Sequence, residues 1–209
     1  MNQLILKKST HSRESILEAA ANLVHEHGAS SLTLDATCAR AGMSKGGLLY
    51  HFRSKEDLLL ALMEDRHAAM EAAIRKEFDQ DTGLQSVGRN HRAFIRAVFQ
   101  ILLSEDPFQL SVLGGIAVQL LASGGDFCRK LQASFSCHRV GWDALMAEDG
   151  IPASGSLIIL SSLDGLISRQ IVHQDIPPRE ILVKMRDRLL DMASPKPSNS
   201  TNNEPPETA

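Results

Sequence analysis

The sequence lacks any apolar run long enough to cross a membrane, because charged or polar residues interrupt every hydrophobic stretch. Strand signals are also scarce. Only residues 157–160 could pass for a short strand, and elsewhere apolar residues recur at three- and four-residue spacing. This periodicity predicts an all-α protein with about nine helices.

Motifs that would indicate an enzyme or a metalloprotein are missing as well. There is no phosphate-binding Gly-x-x-x-x-Gly-Lys-Ser/Thr loop, no Gly-x-Gly-x-x-Gly after a strand and no His-x-x-x-His pair beside a carboxylate. We therefore expect no enzyme activity, no cofactor and no metal site, although the sequence leaves a Ser-His-Asp set open. Three cysteines cannot all pair within one chain and form no Cys-x-x-Cys unit, which favours reduced thiols.

The first twelve residues do not follow the order of a signal peptide, so we expect a cytoplasmic protein without a membrane partner. The net charge of −3 is unevenly distributed: residues 1–55 carry seven basic and four acidic residues, a balance of +3, and the remainder a balance of −6. A positive head on an acidic body suits phosphate contact, although a difference of this size also arises by chance.

Caps and breakers place the helices along the chain. Ser12, Thr33, Ser44 and Ser54 are suitable N-caps. Glycines 28 and 42 suit left-handed helix ends. The predicted helices cover about residues 13–27, 34–41, 45–51, 55–78, 84–104, 107–122, 127–148, 154–173 and 178–193. Residues 194–209 contain no large apolar side chain, which predicts a disordered tail.

The most informative segment is residues 32–55, where two short predicted helices are separated by Gly42-Met43. This spacing is typical of a helix-turn-helix. We expect the first predicted helix to seal a buried side made of Leu34, Cys38, Ala41, Met43, Leu48 and Phe52. The next helix would then project, and it has the size to enter a DNA major groove. Two glycines in so short a helix allow a close backbone approach, or simply loosen it.

The same residues resemble the TetR family of bacterial regulators over about 50 positions. The matching residues are Gly28, Leu32-Thr33, the run from Ala41 to Gly46, Leu48, Tyr50-His51-Phe52 and the run from Ser54 to Leu59. Residues 1–55 would then form a three-helix DNA-binding domain, and residues 56–193 a helical ligand-binding and dimerisation domain. Double-stranded operator DNA is the implied partner. Our candidate contacts are Thr33, Ser44, Lys45, Gly46, Gly47, Tyr50, His51 and Lys55.

Three positions depart from the pattern of the family. Thr37 stands where a β-branched or larger apolar residue is common, so the packing of the second helix can differ from that of the family. Gly47 and Leu49 stand where threonine and tyrosine are common and often touch DNA. The resemblance therefore implies that the third helix binds in the major groove, but it does not imply which side chains contact the bases.

The resemblance also implies a homodimer through the eighth and ninth predicted helices (about 154–193) and a small-molecule effector. Small residues beside apolar ones at 161–167 and an apolar stripe on the ninth helix fit such a bundle, although both could pack within one subunit. Aromatic residues concentrated in the body favour a largely apolar effector. A Phe or Met at helical spacing lies in a core more often than in a ligand pocket. The candidate pocket residues are Met63, His67, Phe94, Val98, Phe99, Leu113, Gln119, Phe135, His138 and Trp142.

The sequence therefore predicts a ligand-responsive transcriptional regulator, a repressor released from its operator by a small molecule. The alternatives are a helical ligand-binding or protein-interaction module without specific DNA binding, and a small all-α enzyme. The sequence identifies neither the operator nor the target genes nor the inducer.

Overall fold

The structure is a computed structural model that describes residues 2–82, 86–104, 112, 114–116, 129, 144–173 and 176–194, with only the backbone for 2–11 and 171–173. Every regular element in these ranges is helical, which confirms the all-α prediction. The main helices are α1 (Asn2–His27), α2 (Leu34–Ala41), α3 (Lys45–His51), α4 (Lys55–Gln80), α5 (Arg89–Leu102), α6 (Ala153–His173) and α7 (Arg179–Met192), and a short 3₁₀ turn covers Ala29–Ser31. Residues 144–147 are also helical.

The start of α1 differs from the prediction. The helix begins at Asn2 rather than near Arg13, so Ser12 lies inside it and is not its N-cap. Residues 2–12 contain neither glycine nor proline, and their leucines and lysines are good helix formers. Because no helix-breaking residue lies between Asn2 and Arg13, the helix continues through Ser12, and the capping signal at Ser12 did not mark its start.

The start of α5 also differs, since the helix begins at Arg89 rather than near Leu84. Gly88 precedes it in a left-handed conformation with φ +75°, and its N–H donates to the carbonyl of Asp149 at 2.7 Å. This geometry ends any continuous helix before residue 89. The predicted helices at 107–122 and 127–148 lie largely outside the described residues, as does the predicted tail after Ser194.

Two larger hydrophobic clusters organise the described residues. The first joins α1 to α4 and includes Val112 and Ile116, both fully buried. The second joins α5, α6 and α7 around Phe99, Leu163 and Leu182. A smaller cluster links Ile74 on α4 to α5. The long helix α4 therefore packs in the first cluster near its start and against α5 near its end.

A buried polar region surrounds the start of α5, and we call it the α5 junction (Asp81, Gly88, His91, Arg92 and Asp149). The Asp149 carboxylate accepts the backbone N–H groups of Asn90 at 3.0 Å and His91 at 2.9 Å. It therefore caps a helix from 58 residues away along the chain, where Gly88 offers no side-chain cap of its own.

Arg92 joins three helices at this junction. Its guanidinium donates to the Asp81 carboxylate at 2.7 Å, where α4 ends, and to the carbonyl of Ala193 at 3.1 Å, where α7 ends. A third bond goes to the carbonyl of Val87 at 2.6 Å. The ends of α4 and α7 are thus tied to the first turn of α5.

Candidate DNA-binding site

The α2–turn–α3 unit is shaped by local hydrogen bonds that its sequence predicted. The Thr33 hydroxyl accepts the N–H of Ala36 at 3.0 Å, and the Ser44 hydroxyl accepts that of Gly47 at 3.2 Å. Between the helices Gly42 adopts a left-handed conformation, φ 64° and ψ 34°, which L-residues with a side chain adopt only at a cost. The chain therefore leaves α2 and enters α3 within a tight turn, as in a helix-turn-helix.

The inner side of this unit agrees in part with the predicted list. Cys38, Leu48 and Phe52 are buried, whereas Leu34, Ala41 and Met43 are only half-buried. The fully buried side chain that the prediction did not place there is Thr37. Its hydroxyl donates to the Thr33 carbonyl at 2.8 Å, so threonine satisfies its polar group within α2 and fills an apolar position.

The outer side of α3 is open to solvent. Tyr50 is 80% exposed, and Ser44, Lys45, Gly46 and Gly47 are exposed as well. A Cβ added to Gly46 would meet nothing within 4 Å, and one added to Gly47 would meet the Ser44 Oγ at an ordinary 3.4 Å. No contact within the described chain therefore requires glycine at these two positions.

The other candidate contacts differ in how free their side chains are. Thr33 is exposed, whereas His51 and Lys55 are half-buried. The Lys55 ammonium donates to the carbonyl of Ala29 at 3.4 Å, and the ring of His51 lies edge-on to that of Tyr50 with centroids 5.1 Å apart. Lys55 is therefore held near the 3₁₀ turn.

Two exposed ion pairs flank this surface. The Lys45 ammonium lies 2.8 Å from the Asp35 carboxylate, and hydrogen bonding to that carboxylate raises the pKa of Lys45. Arg40 on α2 binds Glu26 on α1 through both of its terminal nitrogens, and this hydrogen bonding lowers the pKa of Glu26. One pair thus links α2 to α3, and the other fastens α2 to α1.

The candidate pocket residues do not form a single group in the described part of the chain. Met63 packs in the first hydrophobic cluster, Val98 and Phe99 pack in the second, and Phe94 borders the second and third. His67 is half-buried, 3.9 Å from Glu71. The remaining five candidates lie outside the described residues: Leu113, Gln119, Phe135, His138 and Trp142.

A cavity of about 470 Å³ lies between α1 and α4, at a position that the sequence did not predict. Its lining is largely polar and none of the candidate pocket residues contributes to it. The residues are Glu14, Leu17, Glu18, Ala21, Asn22, Asp65 and Arg66.

The faces of α6 and α7 carry exposed apolar side chains. Leu157 and Ile158 on α6 are 66% and 53% exposed, and Ile181 on α7 is also exposed. Ser161 and Gly165 are small, exposed residues that follow further along α6, and a Cβ at Gly165 would meet nothing within 4 Å. These residues were part of the predicted dimer helices.

A Ser-His-Asp set does occur, at the α5 junction. The ring of His91 joins the Asp149 carboxylate at 2.7 Å and the Ser156 hydroxyl at 2.8 Å. The imidazole is fully buried, and the carboxylate also caps α5, so the three groups fasten the start of α6 to the start of α5. We assign this set a structural role. The sequence alone does not predict the set, because its members are up to 65 positions apart.

Among the described residues, no group of three or more His, Cys, Asp and Glu side chains is placed to hold a metal ion. None of the described helices has the length and apolar character that a membrane span requires.

Comparison with known proteins fits this geometry. Residues 16–62, which contain α2 and α3, match the profile described as bacterial regulatory proteins, tetR family. This part of the chain therefore matches the N-terminal domain of the TetR family. The recognition made from the sequence motif is therefore confirmed.

The chain is also similar to transcriptional regulators of known name. The chain is 37% identical over 82 residues to the HTH-type transcriptional repressor AcnR of Corynebacterium glutamicum, a match that covers 39% of this chain and 41% of AcnR. It is 27% identical over 104 residues to the HTH-type transcriptional regulator SrpR of Pseudomonas putida, covering 50% of this chain and 46% of SrpR. The chain thus spans less than half the length of these two relatives.

Among solved structures, the fatty acid degradation regulator FadR from Bacillus halodurans aligns with a TM-score of 0.65 at 16% identity, covering 88% of this chain and 99% of FadR. The multidrug binding protein EbrR, complexed with imidazole, aligns with a TM-score of 0.63 at 19% identity, covering 89% and 91%. At these identities the alignments establish a shared fold.

Proposed function

We propose that this protein is a ligand-responsive, DNA-binding transcriptional regulator, a repressor that a small molecule releases from its operator. The observation that carries the proposal is the exposed outer face of α3, whose inner side is buried against the first hydrophobic cluster. The exposed face presents the Ser44 hydroxyl, the Lys45 ammonium, the Tyr50 phenol and the backbone at two glycines. A helix presented in this way matches the width of a DNA major groove. Acting on DNA, the protein would work in the cytoplasm.

Within this proposal α3 lies in the groove with its first residues towards the base edges. Gly46 and Gly47 have no side chain, so the backbone can approach the duplex, and no contact among the described residues requires glycine at either position. Lys45 and Tyr50 would reach phosphates or bases beside them. The remaining contacts would come from Thr33, Ser44, His51 and Lys55. Because His51 and Lys55 are half-buried, their side chains would extend less far towards the DNA.

We further propose a homodimer through α6 and α7. Two neighbouring large apolar side chains, Leu157 and Ile158, are costly to leave in water, and the small residues beside them permit close helix approach. A two-fold axis through this face would present two copies of α3 to one duplex.

We place the effector in the helical body and expect it to be largely apolar. EbrR and FadR share the fold, and their names refer to multidrug binding and fatty acid degradation, which supports an apolar ligand class. The lining that we propose is drawn from the residues predicted from the sequence, of which Phe94, Val98 and Phe99 lie in or against the second hydrophobic cluster. The ratio of the ligand's affinities for the DNA-binding and the released conformation would determine how far it shifts the protein away from DNA.

A mobility-shift assay on the DNA upstream of the protein's own gene tests DNA binding. Lys45→Ala with Lys55→Ala should weaken the complex at least about tenfold at low salt, because two phosphate contacts per subunit are lost. Arg75→Ala with Lys76→Ala is the matched control, since both side chains are exposed on α4 away from α3. Absence of any sequence-specific, salt-sensitive complex would favour a protein-interaction module instead.

Sedimentation equilibrium tests the dimer. Ile158→Glu should shift the protein from dimer to monomer, because a charge would enter the proposed apolar interface. Leu145→Glu introduces the same charge at another exposed apolar position, outside α6 and α7, and should leave the dimer intact. A wild-type monomer at micromolar concentration would contradict this part of the proposal.

A further inference from the structure

A carboxylate lies on the same edge of the helix-turn-helix as the proposed DNA contacts. Asp35 is in the first turn of α2, and its carboxylate is 2.8 Å from the ammonium of Lys45, the first residue of α3. Both side chains are open to solvent, 76% and 59% exposed. Exposed Thr33 and Ser44 immediately precede these two helix starts.

We propose that Asp35 is an internal competitor for Lys45 that lowers the electrostatic part of the affinity for DNA. This inference rests on the proposed function, because it concerns how strongly Lys45 binds phosphate. A DNA phosphate and the Asp35 carboxylate are both anions, and the ammonium that binds one gives up its tight pairing with the other.

The pair is not needed to place α3. Ser44 caps α3 with its own hydroxyl, Gly42 fixes the turn, and Cys38 and Leu48 bury the inner side. Because the pair is exposed, water and salt screen it and a phosphate can displace it. Its main effect therefore falls on the charge that α3 presents, rather than on the position of the helix.

The test compares two substitutions that remove one negative charge each. Asp35→Asn removes the partner of Lys45, whereas Glu56→Gln removes an exposed acid at the equivalent position, the second residue of α4. Both changes cost a similar interaction with a helix N-terminus. Circular dichroism and thermal melts would establish that the variants are equally folded.

The readout is fluorescence anisotropy with a labelled random-sequence duplex of about 30 base pairs and with the upstream region, each at several salt concentrations. We expect Asp35→Asn to bind both duplexes about three- to tenfold more tightly, with a salt dependence steeper by about one ion per subunit. The same factor should apply to both duplexes, because phosphate contact is independent of sequence. Glu56→Gln should change the affinity less than about twofold.

A double variant separates competition from general repulsion. In a Lys45→Ala background, Asp35→Asn should gain no more than Glu56→Gln does, because the lysine that it would release is gone. A full gain in that background overturns the inference, as does a gain no larger than that of Glu56→Gln, weaker binding by Asp35→Asn, or a change confined to the upstream region. If wild type binds no duplex at any salt concentration, the proposed function itself fails.

Discussion

Charged groups are used differently at the DNA-facing end of the molecule and at the α5 junction. Around α3 the ion pairs Lys45–Asp35 and Arg40–Glu26 are exposed or nearly so. At the junction the Arg92–Asp81 and His91–Asp149 pairs are almost fully buried, with the His91 side chain 0% and that of Asp149 3% exposed. Exposed pairs exchange readily with outside ions, whereas buried pairs are costly to break. One region is suited to bind a polyanion and the other to hold helices together.

The largest effect should come from Arg92 at the junction. Arg92→Met would leave the buried Asp81 carboxylate without its 2.7 Å donor and should destabilise the fold by about 3 to 5 kcal/mol. Urea unfolding followed by circular dichroism would measure the loss. Arg96→Met is the control, because Arg96 binds the same oxygen at 3.0 Å but is 36% exposed, and should cost under about 1 kcal/mol. Equal losses would erase the distinction between buried and exposed pairs.

Gly88 should rank second. A Cβ at this residue would lie 1.9 Å from the carbonyl oxygen of Ala193, and its φ of +75° disfavours any side chain. Gly88→Ala should therefore destabilise the protein by about 2 to 3 kcal/mol, since strain and displacement of the end of α7 add together.

The control for Gly88 lies in the helix-turn-helix. Gly42 has a φ of +64°, but an added Cβ there would meet nothing within 4 Å, so Gly42→Ala carries only the conformational cost of about 1 kcal/mol. The same unfolding assay compares the two. A Gly42→Ala loss as large as that of Gly88→Ala would mean that the close approach to α7 contributes nothing.

The two regions also differ in how well the sequence predicted them. The bounds of α2 and α3 followed from Thr33, Gly42 and Ser44, because caps and left-handed glycines act within a few residues. The junction left no such signal, since Asp149 caps α5 across 58 positions. Helical periodicity likewise marks Met63 and Val98 as apolar-face residues, but it does not say that they belong to different clusters.

A smaller effect is expected at the start of α2. Thr33→Ala removes the hydroxyl that accepts the Ala36 N–H at 3.0 Å, and should cost about 1 kcal/mol in urea unfolding. Thr33→Ser keeps the capping oxygen and should cost far less. If serine and alanine were equally destabilising, the methyl group of Thr33 rather than its cap would be responsible.

The smallest effect, and the one with a pH signature, concerns Arg40 and Glu26. Hydrogen bonding to Arg40 lowers the pKa of Glu26 below its ordinary 4.5. A carboxyl with a lowered folded pKa stabilises the protein above its unfolded pKa, and this contribution is lost as pH falls through the folded value. Arg40→Gln should therefore lower the urea midpoint slightly at pH 7, with the difference from wild type shrinking below about pH 4.5.

Arg53→Gln, which removes another exposed arginine of the same domain, is the control and should show no comparable change over that range. Because the Arg40–Glu26 pair is exposed, salt should also diminish the Arg40→Gln difference at pH 7, whereas the Arg92→Met loss should survive. A difference that grew as the pH fell would reverse the sign expected for this pair. A salt-resistant difference would place the pair with the buried contacts of the α5 junction rather than with the exchangeable charges around α3.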